Sequence, residues 1–240
     1  MAKQSARRVT ARSEARPASP TARARRDRGN ETRERLIEAA IDVFGRQGYE
    51  GATTRQIAKA ADANLAAIVY HFGSKEALYL AVAEHLVGQI NERMGPVLAF
   101  VEASFPERPA EALALLKRML GAFVDVVLGN PEAERWARIV VRELLDPTEA
   151  FDVIYSFTGR VHLLATRLVG IALGADPAAI ETKLRAFTVI GQGIIFRVAN
   201  AMVLRRIERD ALGPDERETI KQILAANVDA MLAGGGDARA

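Results

Sequence analysis

Thr53, Thr54 and Arg55 stand side by side, and Asn64, Tyr70, His71 and Lys75 follow a short way along the chain. Hydroxyls, an amide, a guanidinium, an imidazole and an ammonium can all donate hydrogen bonds. None of them is spaced as a nucleophile–base pair or a metal-ligand set. Catalytic chemistry is no better represented elsewhere. With no cysteine, disulfides, thiolate zinc sites and cysteine nucleophiles are excluded. His85 and His162 are isolated within helical stretches, and there is neither a P-loop nor a dinucleotide fingerprint. Carboxylates are plentiful but fall on helix faces where they are ordinarily solvated. The expectation is therefore no enzyme, no catalytic residue, no metal and no cofactor.

The donor residues sit in TTRQIAKAADANLAAIVYHFGSKEALYLAV, residues 53–82. Thr53 or Thr54 caps a short helix that reaches Ala61, residues 62–63 turn, and a second short helix runs from 64 to about 71. Gly73 ends it, and Ser74 caps a long helix with Glu76 in its positive first turn, expected to reach about 95–96. Upstream, Leu36, Ile37, Ala40, Ile41 and Phe44 recur at helical spacing from Glu31 to a stop at Gly48. Two short helices joined by a tight turn have helix-turn-helix geometry. Ile57, Ala58, Ala61, Ile68, Phe72 and part of Leu65 lock the pair together. That leaves Asn64, Ala66, Ala67, Val69 and Tyr70, with the rest of Leu65, facing outward. A DNA major groove admits one such helix. Thr53 and Thr54, at a helix N-terminus, suit a phosphate. Arg55 suits a guanine edge or a phosphate, and Asn64 either reads an adenine or caps its helix. Ala66 and Ala67 allow close approach to thymine methyls. Tyr70, His71 and Lys75 grip the backbone, with neutral packing as the other reading of His71.

Residues 30–90 resemble the TetR-family DNA-binding domain, through the first helix ending FGRQGYEGATT, the IAKAA segment and above all YHFGSKEALYLAV. RELLDPTEAFDVIY, with ANLAAIVYHFGSKEALYLAV, also resembles the CecR-like subgroup. The resemblance implies an all-α protein: an N-terminal three-helix DNA-binding domain with a helix-turn-helix, then a larger helical ligand-binding and dimerisation domain. It implies a homodimeric regulator, most simply a repressor, released from a pseudo-palindromic operator in double-stranded DNA by a small-molecule effector. Where the family usually has glycine in the turn, this chain has Asp62, which enters the left-handed region at some cost. The competing reading is a helical small-molecule-binding or protein-interaction module without specific DNA binding.

Composition bounds the remainder. Apolar residues make up 49% of the chain, enough for a sizeable core. No apolar run approaches the roughly 20 residues of a membrane span, and no secretory signal is visible, so a cytoplasmic protein with no membrane partner is expected. Residues 1–29 carry nine basic side chains against Glu14 and Asp27 and almost no large apolar ones, so they read as a disordered basic leader. That leader is an inert tail, a DNA-phosphate arm or a targeting peptide. Helices are expected over 109–128, 132–145, 149–173, 177–208 and 215–233, within an effector-binding and dimerisation domain spanning 91–233, and 234–240 should fray. Trp136, Phe151, Tyr155 and Phe196, with the polar His162, Thr166, Gln192, Arg197 and Asn200, form the candidate effector pocket; ordinary packing is the alternative for each. Arg138, Arg142 and Arg197 would suit an anionic effector, or pair with carboxylates. The last two long helices offer a four-helix dimer interface through Phe187, Ile190, Gly191, Ile194, Ile195, Val198 and Met202, and through Ile220, Ile223, Leu224, Val228, Met231 and Leu232.

Overall fold

A computed structural model describes residues 20–233. They form α1 (Pro20–Gly51), α2 (Thr54–Ala60), α3 (Leu65–Phe72), α4 (Lys75–Ala103), α5 (Pro109–Leu128), α6 (Pro131–Leu145), α7 (Ala150–Leu173), α8 (Ile180–Val198), α9 (Asn200–Ile207) and α10 (Pro214–Ala233), with no strand among the described residues. Local signals account for most of these boundaries. Thr53 and Gln56 form a reciprocal capping box at the start of α2, Asn64 and Ser74 cap α3 and α4, and Pro109 and Pro131 occupy the first turns of α5 and α6. Gly48 leaves helical geometry inside α1 (φ 75°, ψ 174°), which is where the apolar periodicity stops.

Asp62 adopts φ 48° in the α2–α3 turn, the left-handed conformation that its position requires. The Ala63 N–H closes the turn on the Ala58 carbonyl at 2.9 Å. Glycine occupies that region without the Cβ penalty. Asp62→Gly is therefore expected to stabilise the protein by about 1 kcal/mol and to raise Tm by about 2–4 °C, with DNA affinity unchanged. Calorimetry of the two proteins checks this; a lowered Tm would show the Asp62 side chain to be favourable in the turn.

Two hydrophobic clusters organise the molecule. The first joins Leu36, Ile41 and Phe44 of α1, Ile57 of α2, Ile68 of α3 and Leu78, Val82 and Leu86 of α4. It does not stop at the three-helix head: Trp136 and Ile139 of α6 and Ile154 of α7 belong to the same cluster. The second gathers the end of α4 (Met94, Leu98, Val101) with α5, α7, α8 and α10. Helix α4 is thus shared between them.

Three expectations need correction. The leader is helical from Pro20, so only residues 1–19 of it lie outside the described residues, as does the tail at 234–240. Helix α4 continues past Pro96 to Ala103. Proline inside a helix costs about 3 kcal/mol, but the turns beyond it carry Leu98 and Val101, both fully buried, and their packing outweighs that cost. The helix expected over 177–208 starts at Ile180 and breaks at Ala199 into α8 and α9, bent by 73°. Neither proline nor glycine marks that break.

Candidate nucleic-acid interface and internal cavity

The short helix α3 turns Ile68 into the core and leaves its opposite side bare. Tyr70 is 84% exposed, Val69 63% and Leu65 42%, with Asn64 and Ala66 also exposed. Ala67, expected outward, is half-buried against the head's core. Asn64 caps its helix: Oδ1 accepts from the Ala66 N–H at 3.0 Å, while its amide NH2 stays at the surface. Thr53 is committed to the capping box, its hydroxyl donating to Gln56 Oε1 at 2.8 Å, which leaves Thr54 and the first backbone N–H groups of α2 to meet an anion. Arg55 is exposed and has no hydrogen-bond or ion-pair partner among the described residues. His71 is half-buried with its ring edge-on to Tyr70 at 4.9 Å, and the Lys75 ammonium lies 4.4 Å from the centre of the Tyr49 ring. Arg55, Tyr70 and Lys75 thus stand on α2, α3 and the first residue of α4, with Asn64 at the α3 cap. No group of histidines and carboxylates among the described residues could hold a metal.

A second feature is a cavity of about 260 Å³ between α4, α5, α6, α7 and α8. Of the expected pocket residues, Trp136, Phe151, Tyr155, His162 and Arg197 line it. Thr166, Gln192, Phe196 and Asn200 do not. Thr166 is buried and donates to the His162 carbonyl at 2.7 Å, and Gln192 accepts from Asn227 at 2.9 Å to tie α8 to α10. Phe196 packs into the second cluster, and Asn200 opens α9. Much of the wall comes from apolar residues that sequence reasoning missed, among them Leu86, Ile90, Phe123, Val140 and Phe157. On an amphipathic helix, a cavity wall and a packed core have the same periodicity. Burial holds the His162 imidazole below its ordinary pKa, hence neutral near pH 7, and it lowers that of the Arg197 guanidinium.

Helix α6 borders the cavity and also meets the three-helix head. Trp136, Val140, Val141 and Leu144 border the cavity, while Arg135 grips α1, donating to Asp42 at 2.7 Å and to Glu38 at 2.9 Å. Desolvation lowers the Arg135 pKa, but the two carboxylates outweigh it and leave it raised. At the far end of α6, Glu143 is only 1% exposed. Its carboxylate accepts from the Tyr79 hydroxyl of α4 at 2.7 Å, from the Thr148 N–H at 2.9 Å and from the Thr148 hydroxyl at 3.0 Å. Burial, then the Glu143 hydrogen bond, pushes the Tyr79 pKa far up. The 64 residues separating Tyr79 from Glu143 gave no sequence signal.

The expected dimer residues divide. Phe187, Ile195, Val198 and Met202 are exposed, as are Ile180 and Leu184 on the same helix and Ile223 on α10. Gly191 faces open space. Ile190 is buried beside the cavity, and Ile220, Leu224, Val228 and Leu232 are buried inside the protomer, because α10 lays its stripe on α5 and is stitched there by Lys117–Asp229 and Lys221–Asp125. Met231 packs against the same core, and Ile194 faces the cavity. The free apolar face therefore runs along α8 into α9, with α10 adding little beyond Ile223.

The sequence matches two families: residues 36–82 match the bacterial regulatory proteins of the tetR family, and residues 112–235 match the C-terminal domain of the HTH-type transcriptional dual regulator CecR. The chain is 31% identical to the CecR dual regulator of Shigella flexneri over 86% of its own length and 94% of that protein's. It is 37% identical to the transcriptional repressor NicS of Pseudomonas putida over 45% of this chain and 47% of that one. Its fold is that of a TetR-like transcriptional regulator from Rhodococcus sp. RHA1, at a TM-score of 0.58 and 18% identity, covering 85% of this chain and 96% of that one. A TetR transcription regulator from Haloarcula marismortui aligns at a TM-score of 0.54 and 18% identity over 84% and 98% of the two chains.

Proposed function

The chain belongs to the TetR family, with a CecR-type C-terminal domain, and is a DNA-binding transcriptional regulator rather than an enzyme; from that premise we propose that it is a homodimeric repressor released from its operator when a small molecule fills the internal cavity. The observation that carries this reading is the double engagement of α6, which borders the cavity and holds α1 and α4 of the head through Arg135 and Glu143. A ligand that favours one placement of α6 favours one placement of the head. In a dimer the spacing of two recognition helices must match two major-groove faces, so DNA affinity falls by the ratio of the ligand's affinities for the two states. Blocking polymerase at a promoter is the simplest output of such a dimer. No single helix among the described residues is long and apolar enough to cross a membrane, and in this reading the protein meets its DNA in the cytoplasm.

In this reading α3 enters the major groove with Asn64, Leu65, Ala66, Val69 and Tyr70, while Thr54, His71 and Lys75 meet phosphates. Arg55 reads a base edge. A pseudo-palindromic site, selected from genomic fragments by gel shift, supplies the test. Arg55→Ala is expected to weaken that site by about 1–3 kcal/mol while leaving random DNA nearly unchanged. Equal weakening on both DNAs, measured by fluorescence anisotropy at fixed salt, would move Arg55 to the phosphate contacts.

A further inference from the structure

The cavity wall is apolar except at a few points, and these differ in whether they are already satisfied. The Thr158 hydroxyl donates to the Ile154 carbonyl at 3.1 Å. His162, its ring stacked 3.9 Å from that of Phe187, has a buried Nδ1 with no partner. Arg197 donates from Nε and Nη2 to a single acceptor, the Val127 carbonyl in the last turn of α5, at 2.8 and 2.7 Å. That arrangement caps α5, whose terminal carbonyls lack intrahelical partners. Capping alone leaves the guanidinium incompletely served. It has five N–H donors, and two are used. No carboxylate among the described residues lies within ion-pair distance of it, whereas Arg138 pairs with Glu134, Arg135 with Glu38 and Asp42, and Arg93 with Glu132. A half-buried cation bordering an apolar space carries a desolvation cost that the field of Glu134 opposes without an ion pair and that an anion with two acceptor oxygens would offset further.

We propose that the cavity takes a small apolar carboxylic acid, bound as its carboxylate by the free donors of Arg197, with the hydrocarbon or aromatic body among Trp136, Phe123 and Phe157. This rests on the reading of the cavity as the effector site. At about 260 Å³ the space is slightly below the roughly 300–1,000 Å³ of pockets for drug-sized ligands, which favours a medium acyl chain or a two-ring acid over a long-chain lipid.

The test uses the full-length protein and the uncharged fluorescent probe N-phenyl-1-naphthylamine. Its displacement is measured at pH 8 with decanoate and 2-naphthoate, and with the methyl ester of each. The probe is expected to bind. The acids are expected to displace it at concentrations about ten- to a hundredfold lower than their esters, the worth of charge-assisted hydrogen bonds in a largely apolar site. Arg197→Met should keep probe and ester binding and lose the acid's advantage. Probe binding with acids no better than esters overturns the proposal and leaves the cavity reading standing. An advantage that survives Arg197→Met overturns the assignment to Arg197. A probe that does not bind, with neither acid nor ester detected by calorimetry, overturns both readings. The acid-versus-ester comparison is made on the unmodified protein and so does not depend on how the variant folds.

Discussion

Glu143→Ala is expected to lower stability by about 3 kcal/mol, and with it Tm by about 6–12 °C. Among the described residues the Glu143 carboxylate is the sole acceptor for the Tyr79 hydroxyl and the Thr148 N–H, so its removal orphans one buried and one half-buried donor. Tyr79→Phe should lose less, about 1.5–2 kcal/mol, since Thr148 continues to serve the carboxylate. The pair also fixes a pH dependence. The folded pKa of Tyr79 is raised above the unfolded value of about 10, so its contribution is complete below pH 10 and declines as the pH climbs further. Tyr79→Phe should flatten that alkaline limb. Urea denaturation across pH 7–11 measures both effects, and a Glu143→Ala midpoint equal to that of the parent would show that the junction does not hold α6 to α4.

Ile195→Asp combined with Met202→Asp is expected to convert the protein to monomers and to reduce operator affinity by a hundredfold or more. Both side chains are exposed on the α8–α9 face and neither lines the cavity. The magnitude follows from bivalency: two heads joined in one dimer bind adjacent half-sites with an avidity about 10²–10⁴ above that of a single head. Light scattering at micromolar protein and anisotropy on the selected site give the two readouts. A dimeric mass for the double variant would remove this face as the interface. Ile194, which looks equivalent in sequence, is unsuitable for the purpose because it borders the cavity.

These choices show where sequence was a sufficient guide. Ser74, Asn64, Thr53, Gly73 and the left-handed Asp62 act within a few residues of themselves, so the helix-turn-helix was readable down to its caps. The α8–α9 break at Ala199 had no local signature. Apolar stripes were legible as stripes but not as destinations. Ile220, Leu224 and Val228 serve the protomer's own core, Ile195 and Met202 face outward, Ile194 faces a cavity, and Phe187 is exposed yet also borders that cavity, although all are apolar residues at helical spacing. Among the arginines, charge alone could not separate Arg138, already paired with Glu134, from Arg197, which is not paired. That distinction depends on which helices lie side by side.

The first hydrophobic cluster, which runs from the three-helix head into α6 and the start of α7, sets a rule for building chimeric sensors. Cutting after residue 90 and grafting a foreign head onto this body would place new side chains against Trp136, Ile139 and Ile154, which share one cluster with Phe44, Tyr79 and Leu86. The exchangeable cassette is instead discontinuous: the head together with the surface of α6 that meets it, including Arg135 and Glu143. A graft that moves both halves keeps these contacts; a graft that moves only the head leaves Trp136, Ile139 and Arg135 against a surface other than the one they pack on.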